Sequence, residues 1–336
     1  MEFALSEEQQ ELASTVRHLL DKRADSAAVR AAMTSESGYD DDLWRTLCEQ
    51  IGTAALVVPE EHDGVDATLF ETAVVMEELG RSLAPNPFLA TTTATAGLLL
   101  HGSADARSEL LPRLAAGEVG TLVWDAPAGS GLVLDGAAAS IVLEITDGEL
   151  RLLDDPTVTP RPALDPTLRL AEVTGSGRSI GEVADEQPLR DLATALVTAL
   201  QLGCARRALD MTVAYTQERV QFGRPIGSFQ ALKHRMADLL VLLEMTRSAS
   251  WAATGAASSY LREPTAERAE TLHARATVAK AYCSDALDTI AGETVQLHGG
   301  IAITWEHDAH LVLKRAHALG QLFGTASAHR ARVLDA

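Results

Sequence analysis

The chain has 336 residues, a net charge of −19 and 46% hydrophobic residues, yet only 4% aromatics. Much of the apolar content is alanine and leucine, which suits closely packed helices better than a β-sandwich, and the carboxylate excess argues against a nucleic-acid backbone as partner. Cys48, Cys204 and Cys283 are widely spaced and read as core residues of a reducing compartment; no signal peptide precedes the first helical pattern and no apolar run spans a bilayer, so a cytoplasmic protein without a membrane span is expected.

Ser6-Glu7-Glu8-Gln9 is a capping box opening a helix that runs to about Lys22. Leu43, Trp44, Leu47 and Ile51 mark a second helix, broken by Val57-Val58-Pro59-Glu60 and an Asp63-Gly64 turn. Residues 68–83 form a third, with Leu69, Thr72, Val75, Met76 and Leu79 on one face. Pro85 and Pro87 punctuate, and two short helices follow at 91–100 and 106–116. Residues 1–118 are thus expected as an N-terminal helical domain.

The composition changes at Gly117. Runs at 121–124, 131–134, 140–145 and 150–153 read as short strands between Gly, Pro and Asp. Pro156, Pro160, Pro162 and Pro166 make the next stretch loop-like, and 168–173 is a further strand. This places a small β domain at 119–186. From Gln187 helical periodicity returns. Four apolar stripes, the first through Leu189, Leu192, Leu196, Leu200 and Gly203 and the last ending near Leu322, predict a C-terminal four-helix bundle over 187–336.

Two junctions of that bundle carry candidate chemistry. In the turn after the first bundle helix, Arg219 can donate paired hydrogen bonds to a phosphate, Phe222 offers a flat face to a purine, and Gly223 permits close backbone approach; Gln230 closes the turn at a fixed offset. The second junction is Gln296-Leu297-His298-Gly299-Gly300. Taken singly, an arginine in a turn is more often a solvated cation, Phe222 a core residue, and Gly-Gly a C-cap.

Together, Tyr215-x-x-x-Arg219-x-Gln221-Phe222-Gly223-x-Pro225-Ile226-x-x-x-Gln230 and Gln296-Leu297-His298-Gly299-Gly300 resemble the acyl-CoA dehydrogenase family, as does the order of helical domain, β domain and bundle over essentially the whole chain. Thr304-Trp305-Glu306-His307-Asp308 resembles a form common in actinobacterial members. The resemblance implies a mainly α fold with a small β domain. It also implies α,β-dehydrogenation of an acyl-CoA thioester: a glutamate removes the α-proton and FAD takes a hydride. A dry site suits that carboxylate by raising its pKa. FAD would lie at a subunit interface, its ring in one subunit's β domain and its adenosine and pyrophosphate under the neighbour's bundle. Arg219 would meet the pyrophosphate, Phe222 and Gln230 the adenosine side, and Gln296, Gly299 and Gly300 would lie along the same arm.

The sequence departs from the family at the base. The residue before Gly324-Thr325, where many members carry the glutamate, is Phe323; the alternative positions on the first bundle helix match Ala193 and Leu200. The nearby Asp191 would point about 160° from Ala193 and reads as a solvated helix-start carboxylate near the positive end of the dipole; Asp210 is the other nearby carboxylate. The segment expected to line flavin and thioester reads Trp124-Asp125-Ala126-Pro127-Ala128-Gly129-Ser130-Gly131, with no Trp-Ile-Thr strand after it. The expectation is therefore a non-catalytic subunit that caps FAD for an acyl-CoA dehydrogenase-like partner carrying the glutamate. It resembles the short subunit of actinobacterial α2β2 steroid side-chain acyl-CoA dehydrogenases, with an electron-accepting flavoprotein downstream. The competing readings are a self-sufficient homotetramer with a relocated base, a flavin-free scaffold subunit, and a related flavin oxidase or monooxygenase.

Overall fold

The computed structural model describes residues 4–124 and 132–335. Helix α1 (Glu7–Arg23) begins at the expected capping box: the Gln9 N–H donates to Ser6 Oγ, and the Gln9 side chain accepts from the Ser6 N–H. Helix α3 (Asp41–Thr46) continues into one π-helical turn, Leu47–Ile51, that stops at Gly52 with φ +77°. Helix α4 (Leu69–Ser82) carries a second capping box, Thr68 with Glu71, and buries Leu69, Thr72, Val75, Met76 and Leu79 as the periodicity predicts. Helices α5 (Phe88–His101) and α6 (Ala104–Ala115) complete this part. Helix α2 (Ser26–Thr34), capped by the Asp25 side chain, lies outside the sequence expectation. It is a short alanine-rich stretch with only Val29, Ala32 and Met33 buried, too few to stand out as an apolar stripe.

Strands β1 (Gly120–Trp124), β2 (Leu132–Leu134), β3 (Ile141–Thr146), β4 (Glu149–Arg161) and β5 (Leu170–Glu182) form a five-stranded sheet in the order β1-β3-β4-β5-β2. Only β1 and β3 pair in parallel. The outer strands turn toward one another, and Thr121 Oγ1 donates to Leu134 O at 2.7 Å. The proline-rich stretch expected as a loop is strand as far as Arg161, and β5 runs well beyond residue 173. The reason lies in the pairing. β4 meets β3 only through Glu149–Leu152, so farther along one of its edges needs no donors. Pro156 falls at the irregularity between Asp154 and Thr157, and Pro160 lies opposite Ala171; proline is tolerated at a bulge or a free edge.

The bundle consists of α7 (Gln187–Glu218), α8 (Gln230–Arg262), α9 (Ala266–His298) and α10 (Ala309–Gln321), followed by α11 (Ala326–Asp335), also outside the sequence expectation. The hairpin β6 (Val220–Gln221) and β7 (Arg224–Pro225) joins α7 to α8. Helices α7 and α9 run parallel in constant register. Asp191 meets His273, Gln201 meets Ser284 and Thr212 meets Thr294, at sequence separations of 82, 83 and 82. Glycines bring α4 against α7: a Cβ on Gly80 would lie 2.3 Å from Leu200 O, and one on Gly203 would lie 1.8 Å from Glu77 O. All three cysteines are buried and free, and burial pushes each thiol up to about 12. Among the described residues no helix is long and apolar enough to cross a membrane.

The sheet is tied to the bundle by a buried polar node. Arg315 on α10, 2% exposed, donates from Nε to Asp165 Oδ2 at 2.6 Å and to Thr167 Oγ1 at 2.9 Å; Asp165 is fully buried. A second Arg315 nitrogen reaches Leu83 O at the end of α4, so one guanidinium clasps three parts of the fold.

Candidate functional site: an exposed arm and a closed ring wall

The structure brings the two candidate junctions together at one end of the bundle, because the parallel α7 and α9 end side by side. Tyr215, in the last turn of α7, stacks on His298, in the last turn of α9, at 4.4 Å between centroids. His307 packs on His298 at 4.6 Å. His298 Nδ1 lies 2.7 Å from Thr294 O. Burial holds His298, His307 and His310 below the ordinary histidine range.

On this base sits an arm that touches little of its own chain. Arg219 is the C-cap of α7; it is exposed, and its side chain forms no ion pair among the described residues. Phe222 stands at the hairpin tip with φ +56° and 91% of its surface exposed. Among the described residues its ring pairs with Phe229, nearly perpendicular and 6.1 Å between centroids, and the Arg224 guanidinium covers the Phe229 face at 4.1 Å. Gln230 opens α8, exposed, with its amide nitrogen 2.9 Å from His234 Nε2. Gln296, Gly299 and Gly300 are exposed at the end of α9. Gly299 has φ +66° and ψ −145°, a conformation essentially restricted to glycine. A Cβ added at Gly223, Gly299 or Gly300 would meet nothing within 4 Å, so these backbones face open space. An aromatic so exposed, an unpaired arginine and open glycine backbone suit a ligand held between this surface and another chain. The arm therefore fits the adenosine and pyrophosphate side of FAD.

The ring side, expected at Phe323 and along Trp124–Gly131, is narrow among the described residues. Phe323 adopts φ +55°, and its carbonyl oxygen lies 2.9 Å from His329 Nε2. The fully buried Lys280 holds the preceding helix end by donating to Leu319 O at 2.9 Å and Gly320 O at 3.1 Å. Phe323 is thereby set edge-on against Trp124, with centroids 6.0 Å apart, and the Arg190 guanidinium covers Trp124 at 4.7 Å. Among the described residues, the space bounded by Thr93, Thr121, Trp124, Leu134, Leu322 and Phe323 holds about 60 Å³, against roughly 300–1,000 Å³ for small-molecule sites. The rest of the Trp124–Gly131 segment lies outside the described residues.

The other base positions offer no proton acceptor. Ala193 is fully buried, and Leu200 is buried where α7 touches Gly80 of α4. Asp210 is exposed. Asp191 is not the solvated carboxylate expected from the sequence. It is 1% exposed, lies 2.8 Å from His273 Nδ1 and accepts from Gln187 Nε2 at 2.9 Å. Burial pushes its carboxyl above the usual range, and the His273 contact pulls it back. The sequence cannot show that α9 covers this side of α7. The Trp124–Phe323 and Tyr215–His298 contacts, the Lys280 bonds to Leu319 and Gly320, and the Asp191–His273 contact were likewise invisible in the sequence, since each joins segments far apart in the chain.

Comparison with known proteins agrees with the fold. The chain matches the acyl-CoA dehydrogenase N-terminal domain over residues 6–118 and the C-terminal domain over residues 192–336. It is 46% identical over 322 residues to acyl-CoA dehydrogenase IpdE2 of Mycolicibacterium smegmatis, covering 95% of this chain and 96% of that protein. It is also 46% identical over 317 residues to IpdE2 of Mycobacterium tuberculosis, covering 94% and 93%. A solved variant of the Tcur3481-Tcur3483 steroid ACAD superposes with a TM-score of 0.86 at 28% identity, covering 98% of this chain and 97% of that one. The chain belongs to the acyl-CoA dehydrogenase family.

Proposed function

We propose that this chain is the capping subunit of a heteromeric, FAD-dependent acyl-CoA dehydrogenase acting in the cytoplasm. Its arm covers the adenosine and pyrophosphate of FAD bound in an acyl-CoA dehydrogenase-like partner, and the partner carries the catalytic glutamate. The observation that carries this reading is an asymmetry within one chain. Arg219, Phe222, Gln296, Gly299 and Gly300 face open space, while Phe323 occupies the base position and packs against Trp124.

In this reading Arg219 binds a pyrophosphate oxygen, Phe222 and Gln230 flank the adenosine, and the Gly299-Gly300 backbone admits the cofactor closely. FAD supplies the hydride acceptor for oxidising a CoA thioester at its α,β bond, and a flavoprotein drains the electrons. Similarity to the steroid ACAD favours a bulky steroid-type CoA thioester as substrate. Exposed Ile301 (42%), Ile303 (78%) and Trp305 (58%) follow the arm directly and supply apolar surface for the partner. The free, buried cysteines suit a reducing compartment.

The test is Arg219→Ala in the complex co-purified with its partner. Loss of a phosphate partner at an interface costs on the order of 2–5 kcal/mol, so FAD retention should weaken at least about tenfold. Unchanged flavin content in an intact complex would remove the capping role and leave a flavin-free scaffold.

A further inference from the structure

Beside the sheet, the end of α2 and the turn after it, the β2–β3 turn and the β4–β5 connection bound a cavity of about 360 Å³, within the range of small-molecule sites. It shares no residue with the arm. Met33, Leu168, Pro160, Pro162 and Pro166 give it apolar walls, and the proline rings stiffen the chain there and bring no N–H into the space. Arg161 also lines it but is committed to Glu172.

Two further charged side chains line the cavity and are not committed. The β2–β5 ladder ends with Leu134 opposite Leu170, and the next step sets Asp135 against Arg169, the Asp135 N–H donating to Arg169 O at 2.8 Å. At Asp135 the chain leaves the strand with φ +54°, and the two side chains form no ion pair among the described residues. Asp135 is 7% exposed. Its carboxyl accepts no hydrogen bond among the described residues, yet neither oxygen is sealed off. A carboxyl held dry without a partner is unfavourable; burial pushes it up to about 7 in spite of the nearby Arg169 and Arg315 guanidiniums.

Arg169 donates from Nη1 to Met33 O at 3.3 Å, while its Nε and Nη2 have no partner among the described residues and keep accessible surface. The guanidinium lies over Gly38, where an added Cβ would come within 2.4 Å of it, so the backbone there leaves room for this side chain. The uncommitted charges are thus one carboxyl and one permanent cation, separated rather than paired. A ligand with a single positive charge would be repelled by Arg169, and one with a single negative charge by Asp135; a molecule carrying both charges meets each with its opposite. An ammonium against Asp135 also holds that carboxyl ionised.

We infer that this cavity binds a small zwitterion with an apolar body, such as an aliphatic α-amino acid, its carboxylate taken by Arg169 Nε and Nη2, its ammonium by Asp135 and its body by the proline-lined wall. The inference does not rest on the capping role of the arm. Calorimetric titration of the full chain with L-leucine, in the assembly in which it purifies and at about pH 8, where Asp135 is largely ionised, tests it. Saturable binding is expected. 4-Methylpentanoate, which lacks the ammonium, and 3-methylbutan-1-amine, which lacks the carboxylate, should each bind at least about tenfold more weakly, since each forfeits a charge-assisted contact. Asp135→Asn keeps the side-chain shape and a residue that tolerates the left-handed turn; it should weaken L-leucine binding at least about tenfold and erase the advantage over 4-methylpentanoate. Arg169→Gln should erase the advantage over 3-methylbutan-1-amine. Absence of saturable binding, an analogue lacking either charge that binds as well as L-leucine, or variants that keep the parent's preferences would each overturn the inference.

Discussion

Neutralising Asp165 should loosen the attachment of the sheet to the bundle without disturbing the arm. Arg315 is 2% exposed and Asp165 fully buried, with Nε and Oδ2 2.6 Å apart. Asp165→Asn leaves the guanidinium in a dry site with only neutral acceptors: Thr167 Oγ1, Thr167 O and Leu83 O. Breaking a buried pair by removing one charge costs about 3–5 kcal/mol, which corresponds to a factor of about 10² to 10⁴ in local opening. Hydrogen exchange read by mass spectrometry would locate the effect. The Thr167 and Leu168 amides, which donate to Asp165 Oδ1 and Asp165 O, should exchange faster, while α8 stays protected. Asp165→Leu combined with Arg315→Met should recover part of the loss, because the guanidinium that Asp165→Asn leaves uncompensated is gone, while the buried Asp135 keeps Arg169. An Asp165→Asn protein that exchanges like the parent, or a double variant as loose as the single one, would refute the reasoning.

Gly203→Ala should destabilise by about 1–3 kcal/mol and lower the melting temperature, since its Cβ would sit 1.8 Å from Glu77 O and force α4 off α7. Among the described residues no carboxylate pairs with the buried Lys280, and burial pushes its ammonium down to about 8 from 10.5. The unfolded chain therefore binds more protons between those values, and stability should rise by about 3 kcal/mol from pH 8 to 10.5. Urea titrations across that window should show the rise in the parent and not in Lys280→Met. His298 and His307 are held below their unfolded values by burial, so the stability of the stack is present above about pH 6.5 and lost as pH falls through their folded values. Tyr215 fluorescence, recorded in a background of Trp→Phe substitutions, should report an opening as pH falls below the ordinary histidine value of about 6.5 that His307→Asn reduces.

The order of helical, β and helical parts and most helices were legible because their signals are local. Ser6 with Gln9 and Thr68 with Glu71 are capping boxes within four residues, and the α4 stripe repeats at helical spacing. Pro156 and Pro160 misled because their permissibility depends on which edge of β4 is free, a property of pairing. The candidate site divides the same way. Arg219, Phe222 and Gly299 were visible as a pattern, and Phe323 as the residue before Gly324-Thr325. That Phe323 packs on Trp124 could not be read, since about 200 residues separate the two. Asp191 shows the limit most plainly: its place at a helix start is in the sequence, but its burial depends on His273 of another helix.

The central claim is that this chain caps a flavin it does not hold alone. Native mass spectrometry of the chain expressed alone, and then together with the dehydrogenase-like partner, tests it most directly. The account predicts FAD only in the mixed assembly, bound in the partner and retained less well after Arg219→Ala. A homo-oligomer of this chain carrying one FAD per subunit would contradict it, and would mean that the Phe323–Trp124 contact opens to admit the ring.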